Sequence, residues 1–459
     1  MKRFAIFVAA IVCAASASPV VAAEKPNIVL IVADDLGRSD VGFHGGEFRT
    51  PNLDRLAATG VRLDRFYACP VCSPTRAGLM TGRWPLRDGV MRTVIPPWSD
   101  HGIPPTTPML PELLAKAGYA RRGCIGKWHL GHAQRAFLPT SRGFTSFYGH
   151  YNGAIDYFTH LREDEVDWHR DDETIREQGY ATDLLSAEAA RFVEASPADE
   201  PYFLYVAFNA PHSPYQAKKK DLDRYPNLKG RRRNYAAMVD CLDQGVGRLL
   251  EAIESRPDAG NTLVLFLSDN GGPLPHAHNK PFRDGKGTVY EGGIRVVAAV
   301  RWPEGGLAGG RVCNEPIGYI DILPTLAGIA GAARDPEAPS IDGIDVLDIL
   351  RGIEPVATRP WFSYIAHGNE AQAAVALGDW KLVAKGRDVM PPGPETVYEL
   401  YDLADDPTEE SDIVGKHPDR VEALQERLVE FGRLRSTEHV KPYGEGRQGF
   451  VAPKDWIVR

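Results

Sequence analysis

The residues from Cys72 to Arg83, Cys-Ser-Pro-Thr-Arg-Ala-Gly-Leu-Met-Thr-Gly-Arg, place a thiol where a turn enters a helix. Pro74 suits the first helical turn, apolar residues follow, and Gly82 can close the far end. Cys72 then lies at the positive end of the helix, with Arg76 one turn on and able to point back toward it, a position that favours an anion. A cysteine is otherwise a small buried hydrophobe or half of a disulfide, so the surrounding residues have to decide.

Asp34-Asp35 and Asp269-Asn270 each follow an apolar run. Hard oxygen donors without His or Cys favour calcium, with magnesium second, over zinc. Taken alone, Asp-Asp also reads as a helix cap and Asp-Asn-Gly-Gly as a turn. Gly126-Lys127-Trp128-His129-Leu130-Gly131 sets a lysine and a histidine on one side of an extended segment. His212 follows another apolar run, and histidine transfers protons near neutral pH. The glycine-rich stretch 284–295 carries Lys286 but lacks the spacing of a phosphate-binding loop.

With Cys72, Pro74, Arg76, Gly82 and Arg83 all in place, the opening string resembles the signature of the type I sulfatases, and the resemblance extends over nearly the whole chain. It implies an alkaline-phosphatase-like fold in which Cys72 is oxidised after synthesis to formylglycine, an aldehyde whose hydrate attacks sulfur. It implies a calcium ion surrounded by Asp34, Asp35, Asp269, Asn270 and the oxygen at position 72. By the same resemblance Lys127 and Lys286 contact the sulfate, Lys286 assists the leaving group, His129 is the base, and His212 lies near the leaving oxygen. Arg76 joins this catalytic set. A sulfate ester gathers negative charge on its leaving and equatorial oxygens, so a cation, Lys127, Lys286 and Arg76 would stabilise its transition state. The chain departs from the family pattern at Val297, where proline is usual, which touches packing only. Stretches 39–45 and 138–144 resemble the arylsulfatase B type, the N-acetylgalactosamine-4-sulfatases. The implied substrate is a sulfated carbohydrate of glycosaminoglycan type, attacked in exo fashion, or an aryl sulfate. The implied maturation partner is a formylglycine-generating enzyme.

These residues need a scaffold. Stretches 27–33, 202–208 and 262–268 are continuous apolar runs, as central parallel strands covered on both faces require, and each ends at a polar cluster named above. Further strands are expected at 61–67 and 119–125, and helices at 52–58, 110–117, 235–253 and 320–329. The alternation predicts an α/β fold, a large mixed but mostly parallel sheet sandwiched by helices with one active edge. After residue 360, strands such as 373–377 and 380–384 and a helix at 418–431 predict a small antiparallel sheet with one helix. The expected division is a signal peptide at 1–23, a catalytic domain at 24–335 and a C-terminal α+β subdomain at 336–459.

Lys2 and Arg3 precede an apolar run, and Val21-Ala22-Ala23 offers small residues for cleavage after Ala23, so the protein is expected to be secreted or periplasmic. No other stretch is apolar for long enough to span a bilayer. Losing 1–23 removes two cations and no acid, moving the formal net charge from −8 to −10, which argues against nucleic-acid binding. Five cysteines remain, an odd number that leaves at least one unpaired, and Cys72 is the natural candidate. The basic runs 218–220 and 231–233 read as solvated faces, with docking of an anionic polymer as the alternative. Trp98, His101, Trp168, His169, His276 and His278 either line a sugar pocket or pack loops. Two rival functions stand beside the sulfatase: a phosphate or phosphonate ester hydrolase on the same fold, which would bring more His and Asp ligands for a second metal, and a sulfated-glycan binder in which Cys72 is never converted.

Overall fold

A computed structural model describes residues 25–458, so the expected signal peptide lies outside the described residues. The strand Asn27–Ala33 is buried along its whole length. Ile28, Leu30 and Val32 enter one core and Val29, Ile31 and Ala33 another. That double burial is why the run is apolar without alternation. The strand pairs in parallel with Tyr202–Ala207 on one side and Thr262–Ser268 on the other. Arg121–Lys127 and Ser146–His150 continue the parallel set. Short, mostly antiparallel strands at both edges bring the sheet to ten.

Helices Cys72–Thr81, Leu110–Lys116 and Ile322–Ala330 pack into the first core. Pro51–Thr59, Ala181–Glu194 and Gly230–Glu254 cover the second. This is the expected sandwich, with local differences. The strand expected at 61–67 breaks at Asp64-Arg65, which turn out to pair with Arg62 at 2.8 Å and Asp379 at 3.1 Å. Val61–Leu63 stays in the large sheet while Phe66–Tyr67 pairs with Ile317–Gly318. The strand expected at 119–125 runs two residues later, so Lys127 is itself its last residue. Ser146–His150 and Ala181–Glu194 had no counterpart in the sequence reading.

The C-terminal sheet is antiparallel, built from Pro360–His367, Glu370–Leu377, Trp380–Gly386 and Val397–Asp402. Helix Pro418–Gly432 covers it, with Phe431 stacked on Phe362 at 4.2 Å. Ile365, Ala374 and Val383 cluster with Val71, Val289 and Tyr290, so the small sheet braces the chain beside both Cys72 and Lys286. No helix among the described residues is long and apolar enough to cross a membrane.

One buried ion cluster joins the two sheets. Lys381 lies 2.9 Å from Glu291 and 2.8 Å from Glu409. The Glu291 N–H donates to the Glu409 carboxylate at 2.6 Å, and the Tyr67 hydroxyl donates to Glu291 at 3.1 Å. Burial alone would lower the Lys381 ammonium, but the two carboxylates hold it well above the usual range. Replacing Lys381 with Met leaves buried Glu409 without a cation and Glu291 with only Arg295, 3.5 Å away, and should cost about 3–5 kcal/mol. Lys385→Met, at a pair with Glu399 that is one-third exposed on the lysine side, should cost less than about 1 kcal/mol. Urea denaturation of both variants checks this, and equal losses would contradict the latch.

Candidate active site

Parallel pairing of Ala33 with Ser268 carries Asp34 and Asp269 side by side past the ends of adjacent strands. Both are fully buried. Asp35 follows in the left-handed region at φ 70°, with its carbonyl held by the Tyr235 hydroxyl at 2.9 Å. Asn270 Nδ2 donates to Asp35 Oδ1 at 2.8 Å. Asp34 Oδ1 and Asn270 Oδ1 are buried with no hydrogen-bond partner. Orphaned oxygens inside a cluster of carboxylates fit a hard divalent cation. Candidate ligand atoms of Asp34, Cys72 and Asp269 lie within 4.8 Å of one another, as do those of Asp34, Asp35 and His212.

Three cations neutralise these acids. Lys127 Nζ lies 2.5 Å from Asp34 and Lys286 Nζ 2.6 Å from Asp35. Arg76 donates to Asp269 Oδ2 from Nε at 3.0 Å and Nη2 at 2.7 Å, and from Nη1 to the Lys127 carbonyl at 3.0 Å. Arg76 therefore does not face an anion beside Cys72, as its sequence position suggested. A buried carboxylate, Asp269, lies closer and takes the guanidinium. Burial would raise the Asp34 carboxyl, but Lys127, aided by His212, Arg76 and Lys286, holds it well below the carboxylate range. Asp269 moves the other way: burial and the Asp34 charge push it up to about 6. Burial opposes the Lys286 charge, yet Asp35 keeps the ammonium well above its usual range.

Cys72 opens its helix and places Sγ 3.4 Å from His129 Nδ1. His129 Nε2 bonds the Ile95 carbonyl at 2.9 Å, which assigns the ring proton to Nε2 and leaves Nδ1 an acceptor toward residue 72. Burial, with Lys127 and Arg76 adding to it, keeps this imidazole neutral. Gly153 backs the ring so closely that a Cβ there would lie 2.4 Å from it. Gly126, at φ 106°, lets the motif strand pass Ala207, whose carbonyl oxygen a Cβ would meet at 1.9 Å. Burial raises the Cys72 thiol despite Lys127 and Lys286, so the unmodified side chain is a thiol and a poor nucleophile. His212, 3.7 Å from Asp35, is pushed down to about 4 by burial and by Lys286.

Cys72, His129, His212 and Lys286 open into a cavity of about 620 Å³, whose lining also includes Arg162, His367 and Tyr443. Lys127 lies behind Asp34, fully buried. The sequence reading missed Arg162, His367 and Tyr443, which come from a short hairpin, the C-terminal sheet and the C-terminal tail and belong to no motif. Of the aromatic and histidine candidates, Trp98 packs on Tyr443. Trp168 and His169 are fully buried, His101 bonds the Asp88 carbonyl at 3.0 Å, and His276 and His278 bond Arg232. In the basic runs, Lys218 pairs with Asp183, Lys219 with Asp223, and Arg232 with Asp40 and Glu47. Cys69, Cys72, Cys124, Cys241 and Cys313 are all free and buried.

Residues 26–332 match the family profile described as Sulfatase. Arylsulfatase J of Mus musculus is 32% identical over 457 residues, covering 89% of this chain and 76% of that protein. N-acetylgalactosamine-6-sulfatase of Rattus norvegicus is 37% identical over 387 residues, covering 78% of this chain and 71% of that protein. Among solved structures, Ps i-CgsB in complex with k-i-k-neocarrahexaose superposes with a TM-score of 0.82 at 31% identity, covering 91% of this chain and 95% of that one.

A cation held by these acids competes with protons. With the Asp269 carboxyl raised to about 6 in the free site, calcium affinity should be level above that pH and weaken as pH falls through it, by up to about tenfold per unit. Calorimetric titration with calcium across about pH 5 to 8 measures this. Affinity that stays level to the acid end would contradict the assignment of Asp269 as a ligand.

Proposed function

This chain belongs to the sulfatase family and hydrolyses sulfate esters, and from that premise we propose that its substrate is a sulfated carbohydrate and its nucleophile a formylglycine made from Cys72. The observation that carries the reading is Cys72 at a helix start, 3.4 Å from the acceptor nitrogen of a neutral histidine and beside buried acids. A thiol kept protonated there does little as a thiol, whereas the hydrated aldehyde supplies an oxygen nucleophile with a second hydroxyl for release of sulfate. Calcium held by Asp34, Asp35, Asp269 and Asn270 supplies fixed positive charge against the ester's anionic oxygens.

The chain's own groups do the rest. His129 Nδ1 takes the proton of the attacking hydroxyl while Nε2–H on the Ile95 carbonyl holds the ring in place. Lys286, 19% exposed at the cavity wall, faces the ester and gives a proton to the sugar oxygen as the sulfur–oxygen bond breaks. His212, neutral at pH 7 because burial and Lys286 lower it to about 4, serves as a hydrogen-bond partner on the leaving side. Lys127 balances Asp34 and Arg76 orients Asp269. Cys72 is 2% exposed, so a formylglycine-generating enzyme would act before the chain folds, on its way to export through segment 1–23. A relative named for N-acetylgalactosamine-6-sulfate and a neighbour solved with a neocarrahexaose support a carbohydrate substrate. The stretch 138–144 is not a guide to the sulfate position, because Arg142 is buried on the carbonyls of Ile103 at 2.9 Å and Thr107 at 2.7 Å.

Protein from its native host should yield a Cys72 peptide about 18 Da lighter than the cysteine form, the difference between CH2SH and CHO, and Cys72→Ala should abolish aryl sulfate turnover. Unmodified cysteine in active protein would overturn the nucleophile. Faster turnover of the matched aryl phosphate would instead make the enzyme a phosphate hydrolase. Lys286→Ala should lower kcat by about 10²–10⁴ on sugar sulfates, with a smaller loss on 4-nitrophenyl sulfate, whose leaving group needs no proton. Equal losses on both would remove Lys286 from proton transfer.

A further inference from the structure

The active cavity has a second fixed cation that the reaction does not use. Arg162 stands on the hairpin of Leu161–Arg162 and Glu165–Val166 and lines the cavity that holds Cys72 and Lys286. Its side chain is 23% exposed and its only ion pair among the described residues is a loose one, Nη2 to Glu163 at 3.5 Å. Its Nε is buried without a partner. Among the described residues no carboxylate lines this cavity, whose charged wall is Arg162 and Lys286 together with histidines, in a chain of net charge −8.

The hairpin is held in place by the far end of the chain. Trp456 Nε1 donates to the Arg162 carbonyl at 2.9 Å. Asp455 N donates to Glu165 at 2.9 Å, the Asp455 carbonyl accepts from Thr174 at 2.7 Å, and the Asp455 carboxylate pairs with Arg176 at 2.6 Å. Trp456 also lines a second cavity of about 500 Å³ with Trp98, His132 and Phe450, and Pro97 borders both cavities. The Arg162 charge reaches His132 in that second cavity.

We propose that Arg162 binds a second anionic group, a carboxylate or a sulfate, on the sugar next to the one that loses its sulfate. The proposal rests on the carbohydrate reading above. A part-exposed guanidinium is a planar fork that matches either oxyanion. The enzyme accordingly discriminates among sulfated glycans by the charge of the neighbouring residue.

Competition against 4-nitrophenyl sulfate hydrolysis tests this, with three probes: N-acetylgalactosamine 6-sulfate, the disaccharide that carries it at the non-reducing end of glucuronate, and the same disaccharide sulfated on the glucuronate. In the wild type the disaccharides should inhibit at about tenfold lower concentration than the monosaccharide. Arg162→Gln should erase that ratio and Arg162→Lys should keep part of it. Which disaccharide gains most tells whether carboxylate or sulfate is the group bound. If the sugars compete but the ratio is absent in the wild type, or survives Arg162→Gln, the Arg162 site is overturned while the carbohydrate reading stands. If no sugar competes although 4-nitrophenyl sulfate is hydrolysed, both are overturned.

Discussion

Everything at the active edge follows from burying three carboxylates where water cannot reach them. Asp34, Asp35 and Asp269 are at most 2% exposed, and an isolated ionised carboxylate in such surroundings is not tolerated. The fold answers with one cation from each of three elements: Arg76 from the Cys72 helix, Lys127 from the end of a parallel strand, Lys286 from a glycine-rich loop. Three acids against three bases leave the cluster near neutrality. A divalent cation added to it makes the site positive, which draws an anionic ester and favours the further negative charge that builds up as the ester breaks.

That balance depends on placement, and placement depends on elements far from the chemistry. Strand register sets Asp34 against Asp269. Helix Gly230–Glu254 pins the Asp35 carbonyl through Tyr235. The C-terminal sheet packs on Val71 and on Val289 and Tyr290, and its Lys381 locks Glu291, five residues past Lys286. The small sheet is therefore part of the active site's support, even though of its own residues only His367 reaches the cavity.

Much of this was legible in the chain because strand ends carry the chemistry. A doubly buried strand must be apolar throughout, so 27–33 and 262–268 announce themselves, and the first polar residues after them are the acids. The helix from Cys72 is legible from Pro74 and Gly82. What was not legible has physical reasons. Short edge strands such as Arg311–Cys313 have no room for a pattern. At the break at Asp64-Arg65, Arg65 turns to Asp379, a partner distant in sequence. Arg162, His367 and Tyr443 meet only because the tail folds back over a hairpin, and no local spacing encodes such a return.

The two arginines state the division of labour. Arg76 stands one turn from Cys72 and looked like an anion-facing group, but a fully buried guanidinium has to be matched by the protein's own carboxylate, here Asp269. Arg162 is in no motif and only part-buried, so it need not be matched by a carboxylate of the protein. Burial thus sorts charged residues into those that hold the machinery and those left open to the cavity. The first kind lies at strand ends, where register leaves little freedom. The second lies on a short hairpin braced by the tail, outside the strand ends, so a side chain there can change while the chemistry stays the same.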